Sequence, residues 1–373
     1  MRILLAIFFL TTGKLLLAQT PTIGDSIMSI KGKWTKSQNV IVAEDPALKP
    51  NDFSIIYKKL DSIAALIKQA YPIPTGTQAD WHVSVRGKSY FPGGPSPYGY
   101  DGMFRYYYYN TAYKKIMLIE ETETWLYVFV NDLNWLVEYS DLDIIINGNK
   151  KKIWELPSIT GEWKGYNVYD QENFSPNVKA IVVTKNGEMP WKPVSQLEYL
   201  QALRIKKEND KTKAIADMDA GIEKGKKMIE DIRNNTGFTG NIKEKMIATA
   251  QEALDKQIKS RESLVKTAED IFAKDSKVID DYINTHSTES LQQQAVIYEF
   301  KDFCYRKKFE NPSDKDSRRL IYIDQSYFNK SLPSYTPQFF TMMWRWNENA
   351  PGLFFKKQIE ENFPVEKLKT MIR

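Results

Sequence analysis

Cysteine and histidine are almost missing. Cys304 is the single thiol, and His82 and His286 are the two imidazoles. One cysteine excludes an intrachain disulfide, so stability has to come from packing. Two histidines and one cysteine leave too few ligands for a zinc site. Asp141 and Asp143 would share one face of a strand, but no EF-hand spacing surrounds them, and they read as solvent-facing acids. No metal and no cofactor is expected. Gly-x-Ser-x-Gly is absent, and Gly93-Gly94 is hemmed by prolines and opens no helix, so neither a nucleophile elbow nor a phosphate loop is in view. Cys304 reads as a structural thiol and His82 as a packed or surface histidine. No catalytic residue is assigned. Composition does not exclude a glycosidase, because its two carboxylates need not be neighbours in sequence.

A charge excess is missing too. The formal charge is +5 over 373 residues. The lysine-rich stretch from Pro193 to His286 holds 17 Lys or Arg against 17 Asp or Glu. Interspersed signs make a solvated face rather than a phosphate-binding field, so nucleic acid is not an expected partner. Beyond the N-terminal stretch no apolar run is long enough for a transmembrane span, since even Thr124–Val137 contains Asn131, Asp132 and Asn134.

What is present begins with a leader. Arg2, the apolar run Ile3–Leu10, and Leu15-Leu16-Leu17-Ala18 before Gln19 read as a secretory signal over residues 1–18. Its removal takes away Arg2 and Lys14 and no acid, leaving +3. The expected location is outside the cytoplasm, periplasmic or secreted. An uncleaved anchor is the alternative.

The most sustained pattern lies in residues 193–286. Ile215, Met218, Ile222, Ile229 and Ile232 recur by threes and fours, with Gly225 filling the gap. Ile247, Leu254, Ile258, Val265, Ala268, Phe272 and Ile279 continue the spacing after the turn Asn234–Asn241, interrupted by Gln251, Arg261 and Asp275. This is a coiled-coil seam on two helices folded back on each other. Ser195 with Glu198, and Asn241 with Glu244, have capping-box spacing. At 1.5 Å per residue each arm is roughly 60 Å long, so the tip projects from any ordinary domain. Gly221 and Gly225 each cost about 1 kcal/mol against alanine. They imply either close approach of the arms or loose packing.

The rest reads as a β-rich body. A helix from Asn51 or Asp52 to Ala70 carries Phe53, Ile56, Leu60, Ile63 and Ile67 on one face, and Tyr71-Pro72-Ile73-Pro74 stops it. Strands are expected at 40–43, 81–85, 104–109, 115–119, 125–130, 142–146, 152–156, 166–169, 178–184, 320–323 and 338–346. Asn147-Gly148 and Asn186-Gly187 mark turns. A helix is expected from Ser287 to about Tyr305, and short helices at 353–363 and 365–372. The fold class is therefore α+β: a mostly antiparallel β-sheet domain (19–192), a long projecting antiparallel helical hairpin (193–286), and a C-terminal α/β segment (287–373) that packs back on the sheet domain.

Three stretches resemble exported, functionally uncharacterised proteins of Bacteroidota-type bacteria. They are the leader ending Leu17-Ala18-Gln19, Trp191–Leu200, and the connector Tyr327–Pro333 with Pro337-Gln338. They cover about a tenth of the chain. The resemblance implies export and a shared fold and carries over no catalytic residue.

The aromatic loop Lys88–Tyr100 is the sharpest binding candidate. Tyr90, Phe91, Tyr98 and Tyr100, with Trp81 and Tyr106 or Tyr108, form a set suited to a groove for a sugar or peptide. The plainer reading is that they cover a twisted sheet. Three roles follow in order: a non-enzymatic envelope protein that engages a protein or saccharide partner through the hairpin or the aromatic surface; a carbohydrate-active or peptidoglycan-related protein; and a structural homo-oligomer joined through the hairpins.

Overall fold

The computed structural model describes residues 22–373 except 44, 88–92, 147, 172–176, 238–239 and 300. The leader 1–18 therefore lies outside the described residues. So do Tyr90 and Phe91. The described strands fall into two sheets.

The large sheet holds β1 (Trp34–Lys36), β2 (Val40–Ala43), β3 (Thr77–Arg86), β4 (Tyr98–Asn110), β5 (Lys115–Leu118), β6 (Trp125–Val130), β9 (Ile159–Trp163), β10 (Tyr166–Asp170), β11 (Val178–Thr184) and β15 (Phe339–Arg345). Its order is β1-β3-β4-β6-β15-β11-β10-β9, with β2 also on β3 and β5 on β4. All pairs are antiparallel except β1 and β2 on β3. The small sheet runs β12-β14-β8-β7 from β7 (Glu138–Ile146), β8 (Asn149–Pro157), β12 (Trp191–Pro193) and β14 (Ser317–Ile323). β13 (Val296–Tyr298) also lies on β14.

Period-two alternation sorts the side chains into layers. On β3, Ala79, Trp81, Val83 and Val85 face inward with Leu126 and Val128 of β6 and Met342 and Trp344 of β15. Helices cover that face: α2 (Pro50–Ala70), α7 (Ala350–Asn362) and α8 (Val365–Lys369). The short α1 (Ile23–Met28) precedes them in sequence. α2 starts slightly earlier than its sequence suggests. Lys49 is the cap, Pro50 opens the helix, and the Asp52 carboxylate reaches back to the Lys49 N–H at 2.7 Å. The other face of β11 and β15 packs on Trp154 and Leu156 of β8 and Ile321 and Ile323 of β14. The free face of the small sheet, with Leu142, Ile144, Ile153 and Leu320, is covered in turn by the base of the hairpin. The order is helices, large sheet, small sheet, helices. The C-terminal segment contributes β13 and β14 to the small sheet and β15, α7 and α8 to the large sheet and its cover.

The hairpin consists of α3 (Gln196–Asn234) and α4 (Gly240–Thr285). Ser195 caps α3 as its spacing predicts: its Oγ accepts from the Glu198 N–H, and Glu198 Oε2 accepts from the Ser195 N–H at 2.8 Å. α4 begins at Gly240, one residue ahead of the expected cap Asn241. Ile222, Ile229, Ala250 and Leu254 are buried between the arms. A Cβ on Gly225 would lie 3.1 Å from Leu254 Cδ1, whereas nothing lies within 4 Å of one on Gly221. Gly225 is thus the close approach and Gly221 is not. Two breaks in the seam are ion pairs between the arms: Arg261 with Asp219 at 2.5 Å and Asp275 with Lys207 at 2.8 Å.

The expected helix from Ser287 to Tyr305 is not formed. α5 (Thr288–Leu291) and α6 (Phe303–Arg306) are single turns flanking β13. Val296-Ile297-Tyr298 favours a strand over a helix, and β14 offers it an edge. β12 pairs residues 191–193 with 323–321, and β13 pairs 296–298 with 319–317. The Ala295 N–H donates to Val194 O at 2.8 Å, and both residues bond Leu320. The chain leaves an edge strand at Val194 and resumes the same strand at Ala295. The hairpin is an insertion into one strand.

Candidate functional site

The aromatic candidates separate. Trp81, Tyr98 and Tyr100 belong to the core under α2. Trp81 and Tyr100 stack at 5.4 Å, and the Tyr98 hydroxyl donates to Tyr335 O at 2.7 Å. Burial pushes both tyrosine phenols well above their usual range. Tyr106 and Tyr108 are half-buried, meet edge to face at 6.5 Å, and sit toward the end of β4 that pairs with β5. The described end of the aromatic loop, Gly93–Pro95, borders a small cleft with Phe328, Asn329 and Lys330 rather than with these rings.

The opposite face of β3, β4 and β6 carries a cluster that the sequence reading passed over. The Asp101 carboxylate is buried, accepts from Ser84 Oγ at 2.7 Å and from Arg86 at 2.6 Å, and lies 3.6 Å from His82 Nε2. Serine, histidine and aspartate are all present, but the serine hydroxyl is spent on the carboxylate and not on the imidazole. That is not the geometry of an activated nucleophile. The Arg86 guanidinium lies 4.3 Å over Phe129. Trp125 and Tyr127 are parallel at 5.5 Å, and Trp135, 37% exposed, lies parallel to Tyr127 at 5.8 Å. Burial beside Asp101 raises the Tyr127 phenol, and burial raises the Asp132 carboxyl. The signal was available as alternation: His82-x-Ser84-x-Arg86 and Trp125-x-Tyr127-x-Phe129 each lie on one face.

The hairpin has two distinct parts. At its seat, Tyr199, Leu200, Leu203 and Ile279 pack on the small sheet. Lys207 bridges Asp275 and Asp302 at 2.8 and 2.7 Å. Below them Glu155 lies beside Glu138 and near Arg318, which is paired with Glu299. Burial first, and the neighbouring Glu138 carboxylate second, push Glu155 up to about 7. Farther out, Met228, Ile232, Lys245, Met246, Thr249 and Ala253 line an open apolar groove along one flank. Ile242 beyond it is 66% exposed. Much of the outer charge is internally matched, as in the i,i+4 pairs Lys206–Asp210, Lys213–Asp217 and Lys256–Glu252.

Cys304 is half-buried, and burial pushes its thiol up to about 12, so it is protonated and unreactive at neutral pH. Among the described residues no three His, Cys, Asp or Glu side chains are grouped to hold a metal, and no helix is long and apolar enough to cross a membrane. No family model matches the chain, and neither a curated protein nor a solved structure does so.

Proposed function

We propose that this is an exported, non-enzymatic interaction protein of the cell envelope whose helical hairpin engages a macromolecular partner. The observation that carries this reading is the hairpin itself, a long insertion into one edge strand whose distal flank leaves apolar side chains uncovered. Arms of 39 and 46 residues extend roughly 60 Å at 1.5 Å per residue, well past the seat that the body needs. Export rests on the leader at residues 1–18.

The test shortens the arms. Residues 215–267 are deleted and the ends closed with a short Gly-Asn turn, which keeps the Lys207 bridge and the packing on the small sheet. The full chain and the shortened chain are compared as baits against envelope extracts. Partners held equally by both chains would remove the hairpin from the reading.

A second reading has one observation in its favour. The half-buried Trp125 and Tyr127 and the exposed Trp135, set beside Arg86 and His82, suit a saccharide. It predicts saccharide-dependent quenching of tryptophan fluorescence that Trp135→Ala abolishes.

A further inference from the structure

A cleft of about 330 Å³ lies where α3 crosses the small sheet. Leu142, Leu203 and Ile297 give it apolar walls, and the exposed Tyr139 and Asp141 also line it. Its lysines already have partners. Lys206 is held by Asp210 at 2.7 Å, Lys207 by two aspartates, and Lys301 lies 5.1 Å over the Tyr305 ring. Its acids do not balance in the same way. Glu155 Oε2 is buried and accepts no hydrogen bond. The single guanidinium nearby, Arg318, is shared among Glu299, Glu138 and Glu155. A buried carboxyl oxygen with no donor is costly, and Glu155 and Asp141 are the acids of the lining that no lysine of the cleft pairs with.

We propose that this cleft binds an alkylammonium group, from a free diamine or a lysine side chain, with the ammonium donating to the Glu155 carboxylate and its methylenes lying on Leu142, Leu203 and Ile297. An ammonium fits better than a metal ion, because the described residues offer no three-ligand group. It fits better than an anion, because the lysines are taken. In a diamine the second ammonium reaches Asp141 at the exposed edge.

Binding is coupled to a proton. Below neutrality Glu155 holds its proton, and an incoming R–NH3+ displaces it: R–NH3+ plus the carboxylic acid gives the ammonium–carboxylate pair plus H+. The other charged or titratable groups facing the cleft are Glu138, Tyr139 and Asp141 from β7, Arg318 from β14, Glu299 after β13, Tyr199, Lys206, Lys207 and Asp210 from α3, and Lys301 and Asp302 before α6. Among them Glu138 is also raised, by burial.

Calorimetry of the full chain with cadaverine and with Nα-acetyl-lysine amide, in two buffers of different ionisation enthalpy, tests this. The expected result is saturable binding with proton release near about pH 6 that fades by about pH 8.5. Glu155→Gln, which keeps the side-chain volume, should lose at least about tenfold in affinity together with the proton release. Asp141→Asn should weaken cadaverine and spare the lysine amide. Tighter cadaverine binding assigns the site to free diamines; equal binding assigns it to lysine side chains. Absence of binding by either amine at millimolar concentration, or unchanged binding and proton release in a folded Glu155→Gln variant, overturns the proposal.

Discussion

Burial of Glu155 beside Glu138 makes the stability of the molecule depend on pH in a stated direction. The ordinary glutamate value is 4.5, and in the folded chain Glu155 stands at about 7. The folded state holds the proton more tightly, so its benefit is complete below about pH 4. It is lost as pH rises, because the unfolded chain ionises first, and the loss levels off above about pH 7. A shift of this size corresponds to about 3 kcal/mol at most. Glu155→Gln removes the titration. In urea denaturation it should match the parent near about pH 4 and exceed it by about 1–3 kcal/mol near about pH 8.5. An equal effect at both pH values would mean that packing, not ionisation, is responsible. The same scale shows what sequence patterning leaves open. Trp81, Tyr98 and Tyr100 are recognisable as a set, and alternation puts them on one face. Which face the helices cover depends on α2, α7 and α8, drawn from opposite ends of the chain. Alternation alone therefore leaves these rings between a binding groove and the cover of a sheet.

Within the hairpin the two glycines give opposite expectations. Alanine in place of Gly221 meets nothing within 4 Å and gains the helix propensity of about 1 kcal/mol. At Gly225 the new methyl presses on Leu254 Cδ1 at 3.1 Å, so most of that gain is cancelled. Hydrogen exchange of residues 215–267 should show local opening at a higher free energy in Gly221→Ala than in the parent and close to the parent in Gly225→Ala. The reverse order would mean that the seam is slipped relative to the pairing of Gly225 with Leu254. This element was the most legible part of the chain, because a 3.5-residue period over nine turns is a local signal that needs no partner to be recognised. Its seat was not legible in the same way. β12 and β13 are three residues each, and although Val296-Ile297-Tyr298 favours a strand by composition, neither stretch is long enough to stand alone. Both exist because β14 supplies one continuous row of donors and acceptors, and residues 195–294 hide that continuity. The polar run after His286 then looks like one more helix. In the folded chain Val296, Ile297 and Tyr298 return to the strand left at Val194.

Layering of the whole molecule implies that its parts do not open together. The large sheet is covered on its inner face by α2, α7 and α8, and β11 and β15 are buried on both faces. The small sheet is covered by the seat of the hairpin. The arms beyond the seat depend on each other: Ile222, Ile229, Ala250 and Leu254 are their buried residues. Burying an Ile or Leu side chain contributes about 1.5–3 kcal/mol, and ordering each backbone residue costs about 1–2 kcal/mol. So narrow an apolar seam over residues 215–267 holds only because the seat already fixes both helix ends in register and the first turns are formed. Native-state hydrogen exchange should therefore show three levels of protection. Amides of residues 215–267 open locally at low free energy, those near Tyr199 and Ile279 open with the seat, and those of β6, β11 and β15 exchange only on global unfolding. Deletion of 215–267 should then leave the protection of β11 and β15 unchanged. If the distal arms prove as protected as the central strands, the hairpin is not a separately opening rod but part of one cooperative unit, and the shortened chain would be expected to lose its body as well.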